Sequence, residues 1–359
     1  MLCVPAEGLV TRPPVLLVGN FLSRHVVTRT VGEELAARLA AAGWPVTSTS
    51  ERLGRLSRLL DMQRTIWRGG PGRARAWAVA VVDVYSGAAF LWAEAACWSL
   101  RRRRTPYVLT LHGGRLPELA RRRPGRVRRL LASARAVTTP SPYLQRTMAP
   151  SRGDLRLLPN PLDLAAYPYV CRERPRARLV WLRAFHRIYR PELAPRVLAL
   201  LAAEHPEATL TMIGPDKGDG SLERTRRAAA DLGVAGRVTF AGGVPKEEVG
   251  RRLAHGDVFL NTSDADNAPV SVTEAMACGL CVVTTDAGGL RDLVADGDDA
   301  LVVPRGSAAE MAAAVARLLA DRALAARLSS NARRRAEALD WSRLLPEWEE
   351  LLRGSARTP

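Results

Sequence analysis

What most restricts the fold of this chain is a repeated unit: a short apolar run that breaks at glycine or a small residue, then a stretch with helical spacing. Val15-Leu-Leu-Val-Gly19 is the first such run, and Glu33 to Ala42 follows it with helical spacing and closes at Gly43. Val79-Ala-Val-Val-Asp-Val-Tyr85 precedes a helical stretch from Ala88 to Leu100, and Tyr107-Val-Leu-Thr-Leu111 ends at His112-Gly-Gly114. Strands alternating with helices imply a parallel sheet, whose ligands gather at the carboxyl ends of its strands.

Leu157-Leu-Pro-Asn-Pro-Leu-Asp163, rich in proline, reads as a linker, and after it the alternation restarts. Leu179-Val-Trp-Leu182, a helix from about Pro191 to Glu204, and Ala208-Thr-Leu-Thr-Met-Ile213 ending at Gly214 come first. Val238-Thr-Phe240, Val258-Phe-Leu260, Cys281-Val-Val-Thr284 and Ala300-Leu-Val-Val303 follow as further strands, separated by helical stretches. The expected fold class is α/β with two doubly wound parallel sheets, and 359 residues suffice for a core in each. We expect one domain over 1–163 and a second over 164–340. The C-terminal helix, 341–359, interleaves acids and apolar residues from Trp341 to Leu352 and is expected to pack back on the first domain.

The hydrophobic fraction of 47% suits a globular protein, and no run of about 18 uncharged apolar residues occurs, so no spanning helix is expected. The start, Met1-Leu-Cys-Val-Pro-Ala-Glu7, lacks a basic segment followed by an apolar core, and the expectation is a cytoplasmic location. Cys3, Cys97, Cys171, Cys278 and Cys281 are too scattered for a disulfide framework. Only Cys278-Gly-Leu-Cys281 has a redox or metal spacing; without a second pair or a histidine cluster, the two are expected to pack between helix and strand.

The net charge of +17 is unevenly placed: residues 1–170 hold 26 arginines against 10 acidic residues, whereas residues 171–359 hold 27 basic and 26 acidic ones. A basic half serves an anionic substrate, an anionic membrane or nucleic acid. Arg101-Arg-Arg-Arg104 and the arginines from Arg121 to Arg135 carry much of the excess, and Trp92 and Trp98 precede the first cluster on a helix. Peripheral attachment to the inner face of an anionic membrane is one expectation; a core-facing helix capped by cations at its C-terminus is the other. Nucleic acid is not expected as a partner, because neither interleaved aromatics nor a reader motif accompanies the charge.

The chemistry is concentrated in Asp266-Asn-Ala-Pro-Val-Ser-Val-Thr-Glu274-Ala-Met-Ala-Cys-Gly279, two carboxylates eight positions apart around a segment that turns from loop into helix. Asn267, Pro269 and Ser271 favour an irregular loop, Glu274-Ala-Met-Ala resembles an early helical turn, and amides freed near Val270 and Ser271 attract anions. Ionised carboxylates only accept hydrogen bonds and so suit the vicinal hydroxyls of a sugar. Together the groups read as a grip on a sugar nucleotide. Asp264-Ala-Asp266 also has the form of a carboxylate pair that holds a hard cation with a diphosphate.

Leu111-His-Gly-Gly114, Pro159-Asn-Pro-Leu-Asp163, the Asp266 to Gly279 run, Asp286-Ala-Gly-Gly289, and Leu293-Val-Ala-Asp-Gly297 followed by Val302-Val-Pro304 together resemble the retaining glycosyltransferases of family 4. The resemblance implies the GT-B fold, two Rossmann-like domains facing a cleft. It implies an enzyme that moves a sugar from a UDP- or GDP-type nucleoside diphosphate sugar to a glycan, lipid-linked or small-molecule acceptor, in cell-surface polysaccharide, glycolipid or glycoconjugate synthesis. No cofactor and no metal are implied.

By the same resemblance Glu274 binds ribose hydroxyls and Asp266 the transferred sugar; Asp266 stands where the family usually has glutamate and is one methylene shorter. Arg183 follows a predicted strand, where the family has an Arg-to-Lys pair for the donor diphosphate. Arg187 is closer to the usual separation and Arg190 sits before the helix as the family's Lys does, so either is the second cation. His112 matches a histidine that reaches across the cleft, with Gly113 and Gly114 allowing close backbone approach. Gly19 and Asn20 stand in place of the first glycine-rich loop, without its Gly-Gly pair, toward acceptor or phosphate. Gly214-Pro-Asp216 and Gly242-Gly-Val244 fall at the nucleotide pocket, where Asn267, Pro269, Val270 and Ser271 complete the donor contacts. The rival expectation is a non-catalytic nucleotide-sugar or glycan-binding protein on the same fold.

Overall fold

The computed structural model describes residues 12–22, 29–70 and 76–357; the chain start with Cys3, and Ser23 at the end of the first loop, lie outside the described residues. Strands β1 (Val15–Val18), β2 (Val46–Thr49), β3 (Val79–Val84), β4 (Tyr107–Leu111), β5 (Ala136–Thr139) and β6 (Arg156–Leu157) form one sheet in the order β2-β1-β3-β4-β5-β6. Strands β7 (Arg178–Leu182), β8 (Thr209–Ile213), β9 (Val238–Gly242), β10 (Val258–Asn261), β11 (Cys281–Thr285) and β12 (Leu301–Val303) form the other, in the order β12-β11-β10-β7-β8-β9. Every pairing is parallel, with Val15 opposite both Val46 and Val79, and Val258 opposite both Leu179 and Cys281. The expected pair of doubly wound α/β sheets is the fold that the chain adopts.

Helices cover both faces of each sheet, which is why the central strands are apolar without alternation: β1, β4 and β11 are buried at every position. Three strands carry no such signal. β2 is a half-exposed Val-Thr-Ser-Thr edge, β5 is half threonine, and β6 is two residues long and ends on the first residue of the stretch read as linker. Two places in these sheets reverse strand order, between β1 and β3 and between β7 and β10, and crevices at such reversals hold ligands in folds of this type.

The helix Val31–Ala41 begins with a capping box: Thr30 Oγ1 accepts from Glu33 N at 3.2 Å, and Thr30 N donates to Glu33 Oε2 at 2.6 Å. The last helix, Trp341–Ser355, leaves the second sheet and returns to the first. Its Trp341, Trp348, Leu351 and Leu352 sit in one cluster with Val15, Leu17, Leu35, Leu39, Val79 and Val81. Cys278 and Cys281 are both free and lie in different core clusters, where burial pushes each thiol up to about 12. They pack, as their isolation in sequence implies. Among the described residues no helix is long and apolar enough to cross a membrane.

Candidate donor cleft

Arg183 follows β7 directly, and its amide donates to Ile213 O at 3.0 Å. Gly214, at the end of β8, must be glycine: a Cβ there would lie 1.8 Å from Arg183 O. The guanidinium of Arg183 pairs with Asp266 and lies over the Tyr189 ring, 4.4 Å from its centroid. Burial pulls Arg183 down, but Asp266 and Tyr189 more than restore it, so it stays charged and above its ordinary value. Its Nε is buried and has no hydrogen-bond partner among the described residues.

Asp266 is 9% exposed, and its Oδ1 accepts from Asn267 N at 2.9 Å. The Asp286-Ala-Gly-Gly289 turn supports this loop from below. A Cβ at Gly288 would lie 2.1 Å from Asp266 O and one at Gly289 2.1 Å from Asn267 O, while Gly289 N donates to Asp266 O at 3.0 Å. The helix after the loop runs Val270–Ala277 with Pro269 as its N-cap, so Glu274 lies a full turn inside rather than in the early helical turn expected. Ser271 and Glu274 are buried along that helix.

Glu274 Oε1 accepts from Tyr167 OH at 2.8 Å and from Lys246 Nζ. Lys246 also lies 3.7 Å from Glu34 Oε1 on the Val31–Ala41 helix of the first sheet, and Trp341 Nε1 donates to Glu34 Oε2 at 3.3 Å. Burial would lower Lys246; Glu274 and Glu34 outweigh it and hold the ammonium above its usual value. Burial and the neighbouring Glu274 likewise push Tyr167 up, so its hydroxyl stays protonated and donates. Neither Lys246, Tyr167 nor Glu34 was singled out from the sequence. Lys246 carried one signal, being one of two lysines in a chain with 51 arginines.

Of the two alternatives for the second cation, Arg190 reaches the carboxylate turn, 3.6 Å from Asp264, and also lies 3.7 Å from Glu192. Arg187 is exposed and contributes its amide to Asp219 at 2.9 Å. Val244 is half-buried against the core, and Gly214 N donates to Gly242 O at 2.8 Å, which brings the two glycine turns side by side. Among the described residues no group of three or more His, Cys, Asp or Glu is arranged to hold a metal ion.

The first sheet supplies the opposite wall. His112 follows β4 directly, with Nε2 2.9 Å from Asp83 Oδ1 and its ring stacked 5.0 Å from that of Tyr85. Asp83 explains Gly19, where a Cβ would lie 2.4 Å from Asp83 Oδ2. Asn20 turns away to accept from Arg58 Nη1 at 2.9 Å. Gly113 has φ +85°, and a Cβ on Gly114 would lie 3.4 Å from the Asp266 carbonyl, so the two walls meet here. Ser141 donates to Asn267 Oδ1, and Asn160 Nδ2 donates to Ala268 O at 3.0 Å. Asp83, Asp266 and Glu274 thus pair with His112, Arg183 and Lys246 respectively, and the Asp266 loop lies against Gly114 of the first sheet.

The family model described as Glycosyl transferases group 1 matches residues 177–335, and that described as Glycosyltransferase Family 4 matches residues 25–166. A D-inositol 3-phosphate glycosyltransferase of Acidothermus cellulolyticus is 34% identical over 157 residues, 42% of this chain and 35% of that protein. A GDP-mannose-dependent alpha-(1-6)-phosphatidylinositol monomannoside mannosyltransferase of Mycolicibacterium smegmatis is 35% identical over 133 residues, 35% of this chain and 34% of that protein. The chain thus spans about a third of the length of these curated relatives. Among solved structures, sucrose-phosphate synthase from Thermosynechococcus elongatus superposes with a TM-score of 0.78 at 21% identity, covering 96% of this chain and 99% of its own. Anabaena Alr3699/HepE in complex with UDP and glucose gives 0.74 at 17%, covering 96% and 100%. At these identities the likeness is one of fold.

Proposed function

Because this chain belongs to glycosyltransferase family 4, we propose that it transfers a sugar, with retention, from a nucleoside diphosphate sugar to an acceptor held between its two sheets. The observation that carries the reading is the pairing of Arg183 with Asp266 at the β7/β10 strand reversal, with Glu274 on the helix that follows and Gly114 of the first sheet against the Asp266 carbonyl. Arg183, with its partnerless Nε, and Arg190 receive the donor diphosphate. Glu274 accepts ribose hydroxyls through Oε2, its Oε1 being held by Tyr167 and Lys246. Asp266 accepts hydroxyls of the transferred sugar, which His112 meets from the other wall.

As the sugar–phosphate bond breaks, negative charge grows on the diphosphate, where the two arginines and the amides near Val270 and Ser271 stabilise it. The leaving phosphate oxygen takes the acceptor's proton while the new glycosidic bond forms on the same face, so no dedicated base is required. No metal enters this reading: Asp264 and Asp266 are each paired with an arginine, which supplies the positive charge a cation would bring. UDP and GDP donors both suit the grip, and relatives and neighbours are named with each.

A screen of UDP- and GDP-sugars, read by release of nucleoside diphosphate, tests the reading. Arg183→Lys and Glu274→Gln should each lower turnover by about 100-fold or more, since both remove interactions that stabilise the departing charge or position the donor. Full activity in either variant would sink the site assignment. Stabilisation by a nucleotide without turnover of any donor would support the non-catalytic binding protein instead.

A second reading concerns the acceptor's surroundings. Of ten large apolar side chains exposed among the described residues, six lie on or beside two adjacent helices, Arg55–Arg68 and Ala88–Arg102: Leu53, Leu56, Leu60, Trp67, Leu91 and Trp98. Arg58, Arg103 and Arg102 lie over Trp92, Trp67 and Trp98. Apolar side chains ringed by arginine suit the headgroup region of an anionic bilayer, as attachment near a lipid-linked acceptor requires. Cosedimentation with anionic but not neutral vesicles, weakened by salt, is the expected result; equal behaviour with both would remove this reading.

A further inference from the structure

A concavity of about 470 Å³ opens at the amino-terminal edge of the first sheet, lined by Arg101, Arg104, Arg135 and Arg357 together with the hydroxyls of Tyr107 and Ser133. It is separate from the donor cleft. Strand β4 runs from Tyr107 at this edge to Leu111 beside His112, so roughly 16 Å of strand lies between the two.

No carboxylate lines the concavity, and none of its four arginines has an ion pair among the described residues. Arg122, Arg126 and Arg152, all in the same basic half, each pair with a carboxylate. Four guanidiniums in one dent repel each other, and an anion between them turns that repulsion into attraction. The floor is already ordered: Arg101 Nη1 donates to Tyr107 OH at 3.1 Å, which donates to Ser133 Oγ at 2.7 Å, which donates to Leu130 O.

The backbone at Arg104 points the same way. Helix Ala88–Arg102 ends with Arg104 N donating to Arg101 O and Thr105 N to Leu100 O, both at 2.9 Å, which requires a left-handed residue at 104. Arg104 takes φ +50° there. Helices Val31–Ala41, Ser221–Asp231 and Val270–Ala277 place Gly43, Gly233 and Gly279 at the equivalent position. Glycine carries no strain there, so this chain holds an arginine in a strained conformation at the one helix end where its side chain lines a cationic dent.

We propose that this concavity is a second anion site that takes a phosphate group, as a monoester or a diphosphate. Guanidinium forks bind phosphate oxygens in pairs and keep their charge at any relevant pH. The site rests on its own arginines, independently of the sugar-transfer reading. Its ligand has two sources, a lipid headgroup or a soluble phosphate, and the end of helix Ala88–Arg102, with exposed Trp98 beneath Arg102, adjoins the dent.

The probe is inorganic pyrophosphate, titrated calorimetrically at roughly 0.1 M salt, where diffuse surface attraction is screened beyond about 10 Å. The protein is the full chain carrying Arg183→Gln and Arg190→Gln, which removes both phosphate-binding cations assigned to the donor cleft. One saturable site is expected, weakened about tenfold or more by Arg104→Gly and by Arg101→Gln/Arg135→Gln. Arg104→Gly should also raise the melting temperature, so that lost binding is not lost folding. Absence of a saturable site, or binding by both variants equal to that of the parent, overturns the proposal. Phosphatidylcholine vesicles with and without phosphatidic acid identify the source. Reduced sedimentation of Arg104→Gly with the phosphatidic acid vesicles assigns a lipid phosphate; unchanged sedimentation with pyrophosphate binding lost assigns a soluble one, and each upholds the site.

Discussion

Glu274 illustrates what a single residue's surroundings add to its identity. A buried carboxylate is tolerable only when paired and hydrogen-bonded, and Lys246 and Tyr167 supply both on one oxygen. Lys246 also pairs with Glu34 of the other sheet, so the residue that partners Glu274 also ties the two walls together. Lys246→Met should therefore lower stability by about 3 kcal/mol in urea unfolding, because two buried carboxylates lose their common cation. Adding Glu34→Gln should recover part of that loss, and strictly additive effects would show that the two residues do not interact. The carboxylates of the site were legible from residue type and spacing. Their partners were not, since Glu274 and Lys246 are 28 positions apart and Glu34 lies on a helix of the other sheet.

At the scale of elements, the Asp286-Ala-Gly-Gly289 turn shows why two adjacent glycines stand in the chain: they let one loop lie directly against the backbone of another. Gly289→Ala should displace Asn267 and with it the Asp266 loop, costing about 1–3 kcal/mol and weakening nucleotide binding in calorimetry. Gly236→Ala, where nothing lies within 4 Å, is the control expected to do neither. The helix Trp341–Ser355 carries a comparable burden, and Trp348→Ala should cost about 3–5 kcal/mol by opening a cavity in the first sheet's core. A change below 1 kcal/mol in chemical unfolding would show that the helix is not part of that core. Central strands of both sheets were legible because burial on two faces demands continuous apolar runs; β2 and β5 were not, because they carry threonine and serine and resemble loop, and β6 was not, because two residues set no pattern.

The whole molecule is held closed by contacts that cross the cleft, among them Arg146 with Asp292 at 2.9 Å and Asn160 with Ala268. The chain crosses between the sheets twice, and the crossings bond to each other: Leu162 N donates to Leu339 O at 2.8 Å and Trp341 N to Leu162 O at 3.0 Å. Asp340 secures this junction, capping the last helix through Ser342 N and accepting from Leu164 N at 3.1 Å. Burial pushes its carboxyl up, but the hydrogen bonds from Ser342 and Leu164 prevail and hold it below the usual 3.8. A lowered folded value contributes stability that is present above the unfolded value and lost as pH falls through the folded one. Melting temperature should therefore fall as pH drops below about 4, and Asp340→Asn should flatten part of that fall. An unchanged acid profile would show that the junction does not depend on this carboxylate.

The sequence by itself determined the two parallel sheets, the loop-to-helix carboxylate run and the basic first half, because burial period, turn residues and charge are local properties of a chain. Only the tertiary structure decided that Arg190 rather than Arg187 reaches the carboxylate turn, that Lys246 joins Glu274 to Glu34, that Asp83 holds His112, and that four arginines from distant segments, without an ion pair among the described residues, line one concavity. Those facts depend on which strand ends and helix ends become neighbours when the sheets wind and the last helix returns, and spacing along the chain does not encode that proximity.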